Sequence, residues 1–340
     1  MTQKIENLTL CSNCILPGTF PGITFDEKGI CNYCRKDKPI IEKSQERKAT
    51  YREKLNALVR EIKGRGTPYD VLTAYSGGKD SSYTLKILRE QYDLRIIALT
   101  FDNHFVSPLA WENIGKVVDH LKVDQMTFRP PWEVLRSVFT LTANEDIFPL
   151  PTLLRASAIC TACIGLLKSL ALKTALEMNI PLVAYGWSPG QAPIQSAILK
   201  TNPALIRQNQ KALRSTFPEG LEEPLRSYFL PDRYYEIFQD RFPFNIHPLA
   251  FFEYDEKRIE LELNGLGWRH PTNTDTNSTN CLLNALANER HLARHRFHPY
   301  VWEIANMVRQ GVMTREEGLE KIYSPQDPSQ VAYAREKLGL

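Results

Sequence analysis

Between residues 41 and 65, Tyr51, Leu55, Leu58, Val59 and Ile62 recur at helical spacing among Lys, Arg and Glu, which predicts an amphipathic connecting helix. From Tyr69 the apolar period shortens. A run YDVLTAYS is followed by a Gly-Gly turn, a helical stretch SSYTLKILREQY and a second apolar run, LRIIALTFDN. Strand, loop, helix and strand in that order predict a parallel α/β unit. The alternation continues through a helix from Trp111 to Leu121, the run DQMTFRP, a helix from Cys163 to Met178 and a strand from Ile180 to Trp187. Four parallel strands with crossover helices predict an α/β fold with a doubly wound sheet. Beyond Gln191 the regularity fades into a segment rich in Pro and aromatic residues, and the C-terminal stretch reads mainly as helices.

The first forty residues hold Cys11, Cys14, Cys31 and Cys34 as two C-x-x-C pairs, with Pro17, Gly18, Pro21, Gly22 and Gly29 between them, and too little apolar material for an independent core. Two such knuckles suit one tetrahedral zinc whose four thiolates leave no open position, hence a structural site. Free buried thiols or a redox pair are the alternatives. The expected division is a zinc ribbon over 1–40, the connecting helix over 41–65, a nucleotide-binding α/β domain over 66–200 and a helical, substrate-binding region over 201–340.

Composition narrows the class. With 43% hydrophobic and 24% charged residues over 340, the chain is globular, and a formal net charge of +3 does not mark a general nucleic-acid binder, although Arg290, Arg294 and Arg296 cluster. No run approaches the roughly 18 uninterrupted apolar residues of a membrane span. The N-terminus lacks the basic region and apolar core of a secretory signal, so a cytoplasmic protein with no membrane partner is expected. Seven cysteines, an odd set for disulfides, suggest metal ligation in a reducing compartment.

The strongest chemical signal is Ser76-Gly77-Gly78-Lys79-Asp80-Ser81-Ser82, where the first strand turns into a helix. Paired glycines let the backbone approach an anion, and the helix N-terminus presents free N–H groups to phosphate. The serines add hydroxyl donors, Lys79 neutralises phosphate charge, and Asp80 can hold Mg2+ or orient the loop. The bland alternative is a capped strand-to-helix turn. SGGKDS resembles the PP-loop of the ATP pyrophosphatases, a HUP-like fold, and differs from the Walker A pattern. The resemblance implies ATP cleavage between the α- and β-phosphates. It also implies ATP contacts from Ser76 to Ser82, from Thr100 and Asp102 at the end of the second strand, and from Gly186 after the fourth.

Cys160-x-x-Cys163 and Cys281 remain. Three thiolates can hold a 4Fe–4S cluster with one unligated iron, bind zinc with a water in the fourth position, form a redox disulfide, or be ordinary structural thiols. The polar run from Arg269 to Asn280 can bring Cys281 over the strand ends as a loop.

The order of parts resembles the 4Fe–4S-dependent tRNA thiolation enzymes of the PP-loop superfamily: paired N-terminal knuckles, SGGKDS, an internal C-x-x-C and a later single cysteine. Ile246-His247-Pro248-Leu249 followed by Tyr254, Asp255, Glu256 and Ile259 is similar to that family's Arg-Pro-Leu segment and its acidic helix. The chain departs from the pattern at Gly186-Trp187-Ser188-Pro189-Gly190-Gln191 and in lacking a C-terminal knuckle set, which leaves the substrate open. The resemblance implies a sulfurtransferase with Asp80, Cys160, Cys163 and Cys281 catalytic. Its cofactors would be ATP, Mg2+, Zn2+ and a 4Fe–4S cluster, its sulfur donor a sulfide, persulfide or carrier protein, its substrate an RNA such as tRNA, and its assembly a homodimer. A second resemblance, carried by CSNCILPGTFPGITFDEKGICNYC and VRQGVMTREEGLEKI, is to the N-acetyl sugar amidotransferases. It implies the same adenylation with ammonia from a glutaminase partner.

Overall fold

The computed structural model describes residues 8–65, 67–218 and 220–340. The first seven residues, part of the N-terminus searched for a secretory signal, lie outside the described residues. β1 (Val71–Ala74), β2 (Ile96–Phe101), β3 (Asp124–Phe128) and β4 (Leu182–Tyr185) form where the apolar runs predict strands. Two short strands that periodicity does not mark, β5 (Ile198–Lys200) and β6 (Phe244–Ile246), extend the same sheet from the Pro- and aromatic-rich segment. The order is β3-β2-β1-β4-β6-β5, parallel except for β5 at one edge. Ala74 pairs with both Leu99 and Tyr185, so β1 and β4 finish level while β2 runs two residues further, to Phe101.

Helices α1 (Asn32–Glu42) and α2 (Ser44–Ile62) precede the sheet, in place of one connecting helix. α3 (Lys79–Lys86), α4 (Pro108–Leu121), α5 (Trp132–Asn144), a short α6 (Leu150–Leu153) and α7 (Ala158–Glu177) make the crossovers. The C-terminal part adds α8 (Pro203–Arg214), α9 (Glu222–Leu225), α10 (Asp232–Ile237), α11 (Glu256–Asn264), α12 (Asn284–His295), α13 (Val301–Arg309), α14 (Arg315–Tyr323) and α15 (Pro328–Leu338).

Alternate residues of the strands serve two cores, as a sheet covered on both faces requires. Val71, Ala98 and Ala184 pack with Leu85 of α3, Val117 of α4 and Ile259 of α11. Leu72, Leu99 and Val183 pack with Phe139 of α5, Leu166 of α7 and Leu286 of α12. The sheet is therefore doubly wound. α7 is long and apolar enough by composition to cross a membrane, yet it lies against β1 and β4 with more than half of its apolar window buried inside the protein. It begins at Ala158, not Cys163, because the Ser157 hydroxyl caps it by accepting from the Cys160 N–H at 3.2 Å. Both cysteines thus sit in the first turns of a helix.

Candidate active site

The chain passes from β1 into α3 through Ser76, Gly77 and Gly78, at the carboxyl ends of the central strands where open parallel sheets bind ligands. Gly77 has φ +74°, and a side chain there would meet the Ala110 carbonyl oxygen at 2.6 Å. At Gly186 a Cβ would fall 2.5 Å from the Ser81 nitrogen, so the chain leaving β4 lies directly on the start of α3. The loop is pinned from several sides. The indole of Trp268, which is fully buried, donates to the Gly77 carbonyl at 2.9 Å, and the Ser76 and Ser81 hydroxyls pair at 3.1 Å. Thr279 accepts from the Lys79 N–H at 2.9 Å. Ser82 is buried, with its hydroxyl directed to Tyr75 at 3.4 Å.

Lys79 is itself buried. Its ammonium donates to the Tyr254 hydroxyl and to Glu256, each at 2.8 Å, and lies 3.3 Å from Asp80. Burial opposes that charge, but Asp80 and Glu256 raise its pKa above the usual lysine value. Burial likewise opposes ionisation of Glu256, which Lys79 and Lys321 nevertheless hold down to about 2. The result is an ionised network at the helix N-terminus. Sequence gave Tyr254 and Glu256 only as the start of an acidic helix, and gave no signal for Trp268 or Thr279.

In sequence and in placement this segment resembles a PP-loop. No family model matches the chain. An uncharacterized protein of Methanocaldococcus jannaschii, MJ1599, is 23% identical over 334 residues, covering 97% of this chain and 99% of its own. Two solved structures are similar at low scores. The U34-tRNA thiolase NcsA from Methanococcus maripaludis, with its 4Fe–4S cluster, has a TM-score of 0.35 and 16% identity over 98% of each chain. The NH3-dependent NAD synthetase from Campylobacter jejuni has a TM-score of 0.31 and 12% identity over 60% of this chain and 97% of that one.

Beside the PP-loop, the end of β2 continues into Asp102 and Asn103. Asp102 accepts from the His104 N–H at 2.9 Å and lies 3.3 Å from Arg129, while buried Thr100 accepts from Gln125 at 3.2 Å. The Asn103 amide donates to Cys281 at 3.5 Å and to Cys163 at 3.7 Å, and Cys160 contacts Asn284 at 3.8 Å. Cys281 reaches this position because its segment bridges to Val106 beyond β2 and because the Ser107 N–H donates to the Asn280 carbonyl at 2.8 Å. Cys281, two residues after the threonine that accepts from the Lys79 N–H, therefore shares the Asn103 amide with Cys163, while Cys160, one helical turn before Cys163, turns to Asn284.

The two cysteine groups differ physically. Cys11 and Cys34 lie 3.8 Å apart and Cys14 and Cys31 3.9 Å, with all four sulfurs within 4.8 Å and buried. Thiolates about 2.3 Å from one tetrahedral zinc stand ~3.8 Å apart, so this set fits that ion. The same contacts push the Cys11 thiol down and the Cys14 thiol up, a competition for protons that a dication would relieve. Cys160, Cys163 and Cys281 are part-exposed and do not close to 4.8 Å as a set. Three soft thiolates are a donor set that a cluster can take, each on a separate iron. Burial pushes Cys160 up to about 12 and raises Cys163 and Cys281 as well, so without a cationic centre these thiols stay protonated.

Glu303 of α13 is the acid that sequence reasoning missed, since it interrupts an otherwise ordinary helical stretch. Its carboxylate accepts from the Ser188 hydroxyl at 2.6 Å, in the loop after β4, and burial raises it to about 7, with the Asp80 charge adding to the rise.

Proposed function

We propose that this chain is an ATP-dependent PP-loop enzyme that adenylates a substrate oxygen and replaces that oxygen with sulfur. The observation that carries the reading is the segment in which Thr279 accepts from the Lys79 N–H while Cys281, two residues on, shares the Asn103 amide with Cys163 of the C-x-x-C pair. In the first half-reaction the PP-loop backbone and the α3 N-terminus hold the phosphates, Lys79 offsets their charge, and Asp80 would take Mg2+. The substrate oxygen bonds to the α-phosphorus as the bond to the bridging oxygen breaks, and pyrophosphate leaves with that electron pair. In the second, sulfide, free or released by its donor, bonds to the activated carbon and AMP departs with the original oxygen and the bonding pair; a persulfide donor would in addition need a thiol to break its S–S bond.

Cys160, Cys163 and Cys281 would hold the 4Fe–4S cluster, which supplies an iron without a protein ligand that can take exogenous sulfide. Cys11, Cys14, Cys31 and Cys34 would hold zinc. A tRNA is a fitting substrate in this reading because its bases carry carbonyl oxygens open to such activation, and a homodimer remains compatible with it.

A second reading, ammonia transfer to an N-acetyl sugar with a glutaminase partner, is favoured by one residue. Arg315 joins the two stretches that carry the amidotransferase resemblance, donating to the Cys14 and Cys11 carbonyls at 3.0 and 3.2 Å. Anaerobic reconstitution with iron and sulfide, followed by metal analysis and an absorption spectrum, separates the two. Absorption near about 400 nm from a thiolate-ligated centre, with sulfide-dependent release of AMP and pyrophosphate, is expected. Ammonia-dependent AMP formation by an iron-free protein would transfer the assignment to the second reading, and release of ADP and phosphate would overturn both.

A further inference from the structure

A cavity of about 200 Å³ lies between α2, α13, the loop after β4 and the approach to α7, and neither Ser76–Ser82 nor any cysteine is in its lining. Four cations line it, Arg47, Lys48, Arg155 and Arg309, against one carboxylate, Asp37. Arg309 is already engaged. It lies 3.1 Å from Asp37, stacks 5.1 Å over Trp302 and donates to the Cys14 sulfur at 3.7 Å, so it belongs to the frame of the ribbon.

The other three are differently placed. Among the described residues none has a carboxylate within 4.0 Å, and one buried Arg47 guanidinium nitrogen, Nη1, has no hydrogen-bond partner. Burial pushes the Lys48 ammonium below its usual value, with only the more distant Glu253 opposing. Arg47 and Lys48 are part-buried and Arg155 is exposed at the rim. Gathering cations around one space whose single lining carboxylate is already paired with Arg309 costs free energy, which an anion filling that space returns. Guanidinium forks match phosphate oxygens, and a phosphate monoester carries about −1.5 to −2 charges. The volume is below the roughly 300–1,000 Å³ of pockets that enclose a drug-sized ligand, which suits one anionic group of a small molecule.

We propose that this cavity is a phosphate-binding site for a small molecule, held by Arg47, Lys48 and Arg155. The site stands beside the proposed reaction, since binding alone reads it. The full-length chain, its PP-loop first saturated with α,β-methylene-ATP and Mg2+, is titrated calorimetrically with inorganic phosphate and with glycerol 3-phosphate. Saturable binding of either supports the site, and their relative affinities tell free phosphate from an ester. Arg47→Gln combined with Arg155→Gln should weaken binding about ten-fold or more, with zinc content and melting temperature checking the fold. Arg226→Gln, whose side chain pairs with Glu223 on the surface, should bind as the parent does.

Absence of saturable binding in the parent, or equal binding by the folded double variant, overturns the proposal. So does a single-stranded RNA that binds through Arg47 and Arg155 where neither small phosphate does. If the nucleotide analogue itself fails to bind, dependence on Arg47 and Arg155 still assigns the cavity, so this inference and the adenylation reading fail separately.

Discussion

Glu303 joins a titratable group to the loop that leaves β4, and its consequence is a pH dependence of known sign. An unfolded-chain glutamate ionises near 4.5, whereas burial keeps Glu303 protonated up to about 7. The folded chain therefore binds more protons between those values, and this residue's contribution to stability is lost as pH rises through that window. Glu303→Gln, which cannot ionise, should gain on the parent by about 3 kcal/mol between about pH 4.5 and about pH 8. Urea unfolding at both pH values measures it, and a constant difference would mean that the carboxyl titrates as an exposed one does. Gly186 gives a steric counterpart. A methyl group there would press on the backbone of Ser81 and Asp80, which have no side-chain freedom with which to yield. Gly186→Ala should cost about 1–3 kcal/mol and lower AMP formation more than it raises the KM for the substrate, because it displaces the PP-loop itself. Steady-state kinetics with parent-like ATP turnover would refute that placement.

At the scale of elements, the ribbon and the C-terminal helices depend on each other. Arg309 and Arg315 reach from α13 and α14 to the backbone and sulfur of the knuckles, so loss of the metal should loosen helices far away in sequence. Chelation is expected to open the chain between Cys11 and Cys34 to protease and to lower the melting temperature by several degrees. An unchanged melt after complete metal removal would show that the four thiols are merely packed. The same scale explains what the amino-acid pattern conveyed. β1, the PP-loop and α3 were readable because an apolar run, two glycines and a helical repeat follow without interruption. β5 and β6 were not, since three-residue strands such as Ile198–Lys200 carry too few positions to establish a period. The gathering of Cys281 with Cys160 and Cys163 could be anticipated from residue type, but its cause, the bridge to Val106, is a tertiary pairing with no local signature. Trp268, Thr279 and Glu303 act through contacts across the fold, and none sits in a motif.

For the whole molecule, the two proposed half-reactions draw on separate ligands. Serine in place of any one of Cys160, Cys163 or Cys281 should abolish sulfur incorporation while nucleotide affinity falls by no more than a few-fold. Equilibrium binding of α,β-methylene-ATP, measured beside product analysis, checks both halves. Intact thiolation by these variants would remove the cysteines from the chemistry. A few-fold change in nucleotide affinity is still expected, because the stretch from Asp275 to Cys281 is tethered at both sites, by Thr279 at the helix and by Asn280 and Cys281 beyond β2. Such a tether makes the occupancies reciprocal: whatever factor cluster assembly adds to nucleotide affinity, nucleotide must add to cluster retention. An apo-enzyme would then hold ATP a few-fold less tightly and commit a substrate correspondingly less often to an activated state that water alone could discharge, a partial safeguard against futile turnover built from a single short stretch of chain.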